Sequence, residues 1–585
     1  MMRIFILAII SLLIISSCSK LDTDINYESC DDISDIENYL QELIDKRDYI
    51  TRYEENTKRL SIYFNNAESI SIPLECISSY NIINDDNFVL EFSENTLLKI
   101  PYLSFRMTQM VYNPSGHTPL SAKLTIMTDL PGSGIISINN KMTGEKEILK
   151  EYTDMTTDHS YPILGLYYDH LNIVTLDYYV DGQLAFSEDY EIQTPAQPDY
   201  FPEIVIAHIE KERMEPGMNF ISYLSKENPN IPFMVDTDGE IRYVLDFSAD
   251  QELNRLNYDV GMERLQNGNF YFGAWTTENL YEVDVLGYIV NKWTIPGYKF
   301  HHNIQEKEDG NFLLTADKLG STHLNGNSTK EDYILEIDRT SGMIINEWDL
   351  KESLDEYRDV QSVNLSAATI DWAHANAVIH DPSDNTIIVS CRKQGIVKLT
   401  QDNEVVWLLN NHFSYGSNRR GQDMQDYLLT PLDGNGVMID DSLVLNGLKN
   451  HLDFEWNWFQ HAPFLMDDGT LFCFDNGDKR NYNFRDVYSR AVGYKIDASN
   501  MTVQQVWDYG KEGGVNTFSR IVSDVDYHPQ KDNILFAPGA RVDHESGTGG
   551  AIVEIDYSTK EVVFEMHCTA PNIVWHRVER MTLYP

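Results

Sequence analysis

The 585-residue sequence is short of cysteines and of basic residues. Its six cysteines form no Cys-x-x-Cys pair and no zinc-ligand spacing, so they support neither a metal site nor thiol chemistry, and no cofactor is expected. The phosphate loop G-x-x-x-x-G-K-[ST], the G-x-S-x-G elbow and the H-E-x-x-H helix are also missing. Only 45 Lys and Arg oppose 91 Asp and Glu, giving a net charge of -46. This balance argues against a nucleic-acid partner, and a small anionic ligand would need a local basic pocket.

Long apolar runs are missing beyond the N-terminus. Residues 4–15 form one such run after Arg3, and Ser16 and Ser17 lead from it to Cys18. The run is too short to span a bilayer comfortably and is typical of an export signal. Its end, "ISSC", resembles a bacterial lipobox, with an ordinary signal and a chance cysteine as the alternative. The sequence therefore predicts an exported bacterial lipoprotein, periplasmic or cell-surface, anchored to the membrane only through lipid on Cys18.

The composition predicts an all-β protein, because Tyr occurs 34 times and aromatic side chains suit a pleated surface. We expect a signal peptide over 1–18, a helix with short strands over 19–96, a β-sandwich domain over 97–198 and a β-propeller over 199–585. Cys30 and Cys76 are candidates for a disulfide bridge. The cysteines within strand-like runs are expected to be buried small apolar residues; these are Cys391, Cys473 and Cys568.

An irregular repeat fills the last domain. Strand–turn–strand units such as "MERLQNGNFYFGAW" and "APFLMDDGTLFCFDNG" alternate with second pairs such as "YILEIDRTSGMIINEWDL", often with a tryptophan near the end. Four short strands per unit, repeated about six times, indicate a β-propeller rather than a long sandwich array. Residues 412–458 are expected to form one large loop between blades.

Three histidines share one position in this repeat. His302 lies eight residues before Gly310, and His461 lies eight residues before Gly469. His374 takes the same position in a third unit, before a longer turn. We expect the three side chains to converge on the axial channel, although any one of them alone would more often be a structural histidine. His301 is adjacent to His302, but the repeat favours His302.

Arg392 ends the strand that follows His374. A guanidinium suits a sulfate or phosphate because its donors fork onto two oxygens, whereas a surface arginine after a strand is the plainer alternative. His380 is expected to be a hairpin residue. Arg577, in "WHRVER", reaches the channel or is structural, and the second is favoured.

The segments "HHNIQ…DGNFLL", "WAHANAVIHDPSDNTIIVSCRKQG" and "NWFQHAPFLMDDGTLFCFDNG" resemble the hallmark segments of the bacterial arylsulfate sulfotransferase family, from about residue 97 to the end. The resemblance implies a six-bladed propeller that moves a sulfuryl group from an aryl sulfate to a phenol without a nucleotide sulfate donor. It implies that His461 is the nucleophile, that His374, Asn376 and Arg392 bind sulfate, and that His302 is a further active-site histidine. The close cysteine pair that some members carry near His461 is missing here.

The residue types fit this chemistry on their own. A neutral imidazole nitrogen can attack sulfur and form a sulfohistidine, which splits the transfer into two steps. His374 or His302 would protonate the departing phenolate, and the sequence leaves both open. The context C-x-P-x-R is missing, which disfavours a hydrolytic sulfatase. A non-catalytic surface propeller that binds a glycan or protein is the alternative, as is the same site with water as acceptor. Homodimerisation stays open.

Overall fold

The computed structural model describes most of the chain. The described residues are 24–26, 33–45, 50–55, 59–64, 69–83, 87–92, 97–101, 105–180, 182–225, 230–254, 261–273, 277–358, 363–483, 487–545, 547–570 and 572–585. Cys18 and Cys30 lie outside them, so lipidation and the Cys30–Cys76 pairing stay predictions, although Cys76 does form a disulfide. Across the described ranges, every helix is too short or too polar to cross a membrane.

The N-terminal region combines one helix with two small sheets. Helix α1 (Ile33–Asp45) precedes a sheet ordered β1-β4-β3-β2, and a second sheet is ordered β5-β6-β7. Leu60, Ile62 and Phe64 alternate along β3 and pack with Ile36 and Leu40 of the helix in one core. The strands are β1 (Asp24–Asn26), β2 (Ile50–Glu55), β3 (Arg59–Phe64), β4 (Ser69–Pro73), β5 (Ile77–Ile83), β6 (Asn87–Phe92) and β7 (Leu97–Pro101), with a 3-10 turn at Leu74–Cys76.

A five-stranded sheet follows, in which the ninth and eleventh strands of the chain pair in antiparallel fashion. Its order is β10-β9-β11-β12, with β8 paired to β9. Its strands are β8 (Phe105–Tyr112), β9 (Ser121–Asn139), β10 (Lys146–Leu164), β11 (Leu171–Val180) and β12 (Gln183–Gln193). The chain divides into two compact units, of which the second holds residues 111–122, 162–172 and 193–585. The domain boundaries expected from the sequence stay predictions.

The second unit contains the propeller strands. These are β13 (Glu203–Ile209), β14 (Met218–Ser225), β15 (Phe233–Val235), β16 (Ile241–Val244), β17 (Glu263–Arg264), β18 (Phe270–Gly273), β19 (Asn279–Val283), β20 (Ile289–Thr294), β21 (Tyr298–Glu306), β22 (Phe312–Lys318), β23 (Ser328–Thr329), β24 (Tyr333–Ile337), β25 (Ile344–Asp349), β26 (Thr369–Ile370), β27 (Ala375–Asp381), β28 (Thr386–Cys391), β29 (Gly395–Leu399), β30 (Val405–Leu409), β31 (Thr430–Leu432), β32 (His461–Leu465), β33 (Leu471–Asp475), β34 (Arg490–Asp497), β35 (Thr502–Tyr509), β36 (Asp524–His528), β37 (Asn533–Ala537), β38 (Val542–His544), β39 (Gly547–Asp556), β40 (Val562–Thr569) and β41 (Ile573–Met581).

These strands form six blades. From the inside outward, blade 1 is β41-β14-β15-β16, blade 2 is β17-β18-β19-β20, blade 3 is β21-β22-β24-β25 and blade 4 is β27-β28-β29-β30. Blade 5 is β32-β33-β34-β35 with β31 at its edge, and blade 6 is β36-β37-β39-β40 with β13 at its edge. Strand β41 comes last in the chain yet pairs with β14, which closes the ring. The predicted all-β class and six-bladed propeller are therefore confirmed.

The tryptophans near the ends of the repeats join neighbouring blades. Three of them donate the indole N–H to a backbone carbonyl in the next blade: Trp293 to Arg339 at 2.7 Å, Trp348 to Thr400 at 2.8 Å and Trp507 to Tyr557 at 2.9 Å. The rings themselves are buried. An outer strand ends on tryptophan because this side chain fills the gap between two sheets and still satisfies its polar atom.

Residues 412–458 are more ordered than one large loop. They contain a 3-10 turn (Met424–Tyr427), strand β31 and helix α3 (Ser442–Leu445). Helix α2 (Leu350–Ser353) lies outside this segment and follows β25. Strand β31 pairs in parallel with β35. Two further 3-10 turns lie at Arg480–Tyr482 and Lys511–Thr517. The segment thus extends blade 5 before the chain enters its inner strand.

Candidate active site

Inner strands of neighbouring blades break their regular pairing where the predicted histidines lie. The register shifts between Phe300 and Ile304 in β21, between Ala375 and Ala377 in β27, and between His461 and Phe464 in β32. The backbone is left-handed close to each break, at His302 (φ 58°), His374 (φ 56°) and Ala462 (φ 47°). Each such residue costs about 1–3 kcal/mol, and a bulge turns side chains out of the ladder. These distortions direct the imidazoles toward one another.

Four imidazoles meet at the axis, and we call them the histidine cluster: His302, His374, His461 and His576. His302 is central, because its Nε2 lies 3.3 Å from Nε2 of His374 and its Nδ1 lies 3.3 Å from Nδ1 of His576. The rings of His302 and His461 are perpendicular, with centroids 6.0 Å apart. The three histidines expected from the repeat are therefore adjacent in space.

The tautomer of His461 follows from its contact with Asn476. The Asn476 amide nitrogen donates to the carbonyls of Ser519 (2.8 Å) and Val522 (3.0 Å), so its oxygen faces His461 and can only accept. That oxygen lies 2.7 Å from Nδ1 of His461, which must therefore carry the proton. Nε2 keeps its lone pair. Burial, and then the positive charge of Arg392, hold the pKa of His461 well below its usual value, so the ring is neutral at physiological pH.

A buried ion network supports the chain leading to His461. One oxygen of Asp475 accepts the backbone N–H of Trp458 at 2.8 Å, and the other accepts from Arg490 (2.8 Å) and Arg480 (2.9 Å). Arg490 and Asp475 are fully buried. Breaking such a network by removing one partner typically costs about 3–5 kcal/mol. This network supports the segment where some members of the resembling family have a disulfide.

His374 faces two carboxylates. Its Nδ1 lies 3.0 Å from Asp371 Oδ2 and also contacts Glu331. Glu331 is buried and contacts His301 Nε2 at 3.1 Å as well. Burial opposes the ionised carboxylate, but the histidines outweigh it and hold the pKa of Glu331 well below its usual value. Both carboxylates face Nδ1, so this nitrogen carries a proton and Nε2 is the nitrogen that faces the site.

Asn376 and Arg392 flank the histidines. The Asn376 amide donates one N–H to the Gln460 carbonyl at 2.7 Å, and its oxygen has no partner among the residues that the structure describes. The Arg392 guanidinium reaches the Arg520 carbonyl at 3.5 Å and lies 3.7 Å from Asp478, while its Nε has no described partner. These long contacts leave Arg392 with unused donors. Such donors suit the oxygens of a sulfuryl group.

His301 lies edge-on against His302, with ring centroids 3.7 Å apart, and its Nε2 contacts Glu331 at 3.1 Å. Together with His302 and Glu331 it forms one group close enough to hold a metal ion, and Glu331, Asp371 and His374 form another. Lysines already neutralise both carboxylates: Lys330 contacts Glu331, and Lys393 Nζ lies 2.7 Å from Asp371. These ion pairs favour a proton-handling role over a cation site.

Sequence reasoning missed His576, Asn476 and Glu331. His576 lies on β41, where no turn follows that could be aligned with the other repeats, and the sequence singles out only Arg577 beside it. Arg577 is 3.9 Å from Glu263 and 4.0 Å from Asp524, beyond the histidine cluster along the axis. His380 contacts Asn385 across its turn at 3.1 Å, as expected of a hairpin residue.

A cluster of imidazoles beside a guanidinium is typical of a group-transfer site for an anionic group. Comparison with known families agrees with this class: the model described as arylsulfotransferase matches residues 204–576, and the arylsulfotransferase Ig-like domain matches residues 109–195. The chain belongs to the arylsulfotransferase family and is an enzyme of that class, as the sequence predicted. The alternative of a non-catalytic binding propeller therefore has no support.

Curated relatives match over most of their length. The arylsulfate sulfotransferase AssT of Lelliottia amnigena is 30% identical over 81% of this chain and 92% of its own. The protein of the same name from Escherichia coli O6:H1 is 29% identical over 80% of this chain and 91% of its own. Among solved structures, a streptogramin B lyase matches 63% of this chain and 98% of its own at 11% identity, with a TM-score of 0.29. The Dos1 propeller matches 62% of this chain and 75% of its own at 9% identity, with a TM-score of 0.26. TM-scores this low support no conclusion about this chain.

Proposed function

We propose that the protein transfers a sulfuryl group from an aryl sulfate to a phenol through a sulfohistidine at His461, without a nucleotide sulfate donor. The observation that carries this proposal is the contact between His461 and Asn476. It leaves Nε2 as the nitrogen with a free lone pair, on a ring whose pKa is lowered. A neutral, oriented imidazole is the form that attacks an electrophile.

In the first half-reaction, the Nε2 lone pair of His461 attacks sulfur. An N–S bond forms, the bond between sulfur and the aryl oxygen breaks, and its electron pair leaves on the phenolate. His374 gives that oxygen a proton from Nε2, since its Nδ1 is held by Glu331 and Asp371. Arg392 and Asn376 hold the sulfuryl oxygens, and each such donor is typically worth about 3 kcal/mol in the transition state.

The second half-reaction reverses these roles. An acceptor phenol enters after the first phenol leaves and gives its proton to Nε2 of His374. The phenol oxygen attacks sulfur, the N–S bond breaks, and the electron pair returns to Nε2 of His461. His302 lies between His374 and His576, so it is placed to orient His374 and to share its proton.

His461→Ala tests the nucleophile. We expect phenol-dependent release of 4-nitrophenol from 4-nitrophenyl sulfate to fall by roughly 10⁴-fold or more, because a covalent nucleophile has no substitute. In the wild type, rapid mass analysis without acceptor should find one added sulfuryl group on the peptide that contains His461. His380→Ala, on a hairpin, is the control. Labelling of another peptide would refute the assignment, and equal turnover without any phenol would indicate a hydrolase.

We also propose that the protein is exported and anchored to the membrane through lipid on Cys18, at the periplasmic or outer surface. The support is the sequence of residues 3–18. Partition into a detergent phase, lost in Cys18→Ala, is the expected result. A homodimer stays a prediction.

A further inference from the structure

A second cleft opens beside the active site, between the loops of blades 4 and 5. It is open to solvent, has a cavity volume of about 30 Å³, and shares Arg392 with the sulfate-binding residues and Gln460 with the chain leading to His461. Four cationic side chains line it, and no carboxylate is among its described lining residues; the cations are Arg358, Arg392, Lys393 and Lys479. In a chain with a net charge of -46, such a concentration of one sign is informative.

The cations differ in how far the protein neutralises them. Lys393 is paired with Asp371 at 2.7 Å. Arg358 is 2% exposed, and its hydrogen bonds go to carbonyl and amide oxygens, such as the Lys393 carbonyl at 2.9 Å, rather than to a described carboxylate. Lys479 forms no ion pair with any residue that the structure describes, and its ammonium group lies over the Phe459 ring. Positive charge is therefore left over in the cleft.

Aromatic side chains supply the rest of the wall. The Phe459 ring has the Arg392 guanidinium 5.3 Å from its centroid and the Lys479 ammonium 5.8 Å from it. The backbone of both Phe459 (φ 56°) and Lys479 (φ 57°) is left-handed, a conformation that side chains such as these seldom adopt. The indole N–H of Trp458, a residue only 5% exposed, has no acceptor in the described part of the chain. A buried unsatisfied donor beside unpaired cations indicates a place for oxyanions.

We infer that this cleft is a subsite for a second anionic group on the aromatic ring, so that the enzyme prefers phenols and aryl sulfates that carry a carboxylate or another oxyanion substituent. This inference rests on the proposed sulfuryl transfer. Arg392 holds the transferable group, the ring lies against Phe459, and Lys479 with the Trp458 N–H binds the second anion. Because donor and acceptor react at the same histidine in turn, one subsite selects both.

The test compares acceptors that differ in charge but little in shape. With 4-nitrophenyl sulfate as donor, kcat/KM is measured for 3- and 4-hydroxybenzoate and for the matching neutral hydroxybenzamides. We expect the wild type to favour at least one carboxylate by about tenfold, the contribution of one charge-assisted hydrogen bond. Lys479→Gln should reduce this ratio to near one, and added salt should reduce it in the wild type.

Lys495→Gln is the matched control, because Lys495 belongs to the same blade and is exposed beside Asp468. It should leave the ratio unchanged, and turnover of the neutral amides by this control should match that of the wild type. A wild-type ratio of one or below for both isomers overturns the inference, as does an unchanged ratio in Lys479→Gln. Failure of every acceptor, neutral or charged, would instead refute the proposed transfer itself.

Discussion

The propeller axis carries two stretches of opposite chemistry. The histidine cluster occupies one, and directly beyond it the inner strands line a cavity of about 270 Å³ with Glu263, Asp524, Asp526 and Glu579. We call this the acidic cavity. Burial raises the pKa of all four carboxyl groups. The comparison shows that the fold only brings six inner strands together, and that the side chains on those strands decide whether a stretch of the axis presents imidazoles or buried carboxyl groups.

The largest difference in activity is expected between variants of two arginines, Arg392 and Arg577. Arg392→Lys keeps the charge but loses the forked donors, so we expect kcat/KM for sulfuryl transfer to fall by about 10²–10³-fold. Arg577→Lys, in the acidic cavity, should change it by less than about threefold, because Arg577 neutralises carboxylates that do not touch substrate. Steady-state measurement of kcat/KM for both variants tests this prediction. Equal losses would mean that the acidic cavity takes part in the reaction.

A smaller effect is expected from the residue that orients the nucleophile. Asn476→Ala removes the acceptor at Nδ1, so the proton of His461 is no longer confined to that nitrogen and the ring is free to turn. We expect kcat to fall by about 10–100-fold, with KM for the donor little changed, because the amide acts through His461 rather than on substrate. Mass analysis should still place the sulfuryl group on the His461 peptide. A kcat within about twofold of the wild type would contradict the assigned orientation.

The smallest effect concerns stability in the acidic cavity. The pKa of Asp524 is raised from 3.8 to about 8 by burial, so between these values the folded protein holds a proton that the unfolded chain has released. The stability that this proton contributes is present below the lower value and is lost as pH rises through the upper one. Asp524→Asn does not titrate and keeps an acceptor for the Val578 N–H.

The melting temperature of Asp524→Asn, relative to the wild type, should therefore rise by a few degrees between pH 5 and pH 8. Asp526→Asn extends the test to a second carboxyl whose pKa burial raises. A constant difference across this range would show that Asp524 is ionised throughout, and the contrast between the two stretches would then rest on charge alone.

Much of this arrangement was predictable because the repeat is local. The turn glycines Gly310 and Gly469 both have positive φ (84° and 79°), which made the spacing to His302 and His461 a reliable guide to position. His576 escaped this reasoning because its partner strand is β14, far away in sequence. Asn476 and Glu331 escaped it because they follow or precede strands. The roles of Asn476 and Glu331 depend on which histidine each of them contacts in the folded protein, and the repeat pattern of the sequence does not predict those contacts.

The pairing of β41 with β14 also bears on how the protein folds. Arg580 donates to Asn219 at 3.0 Å, although the two residues are 361 positions apart in the sequence. Contacts of such long range form slowly, because the entropy of closing the loop is lost before the contact is made. Trp575 lies fully buried on the same strand and donates its indole N–H to the Ala537 carbonyl at 3.1 Å. The neighbours of His302 are complete only after ring closure, because His576 lies on β41, so we expect the site to be assembled in a late step of folding.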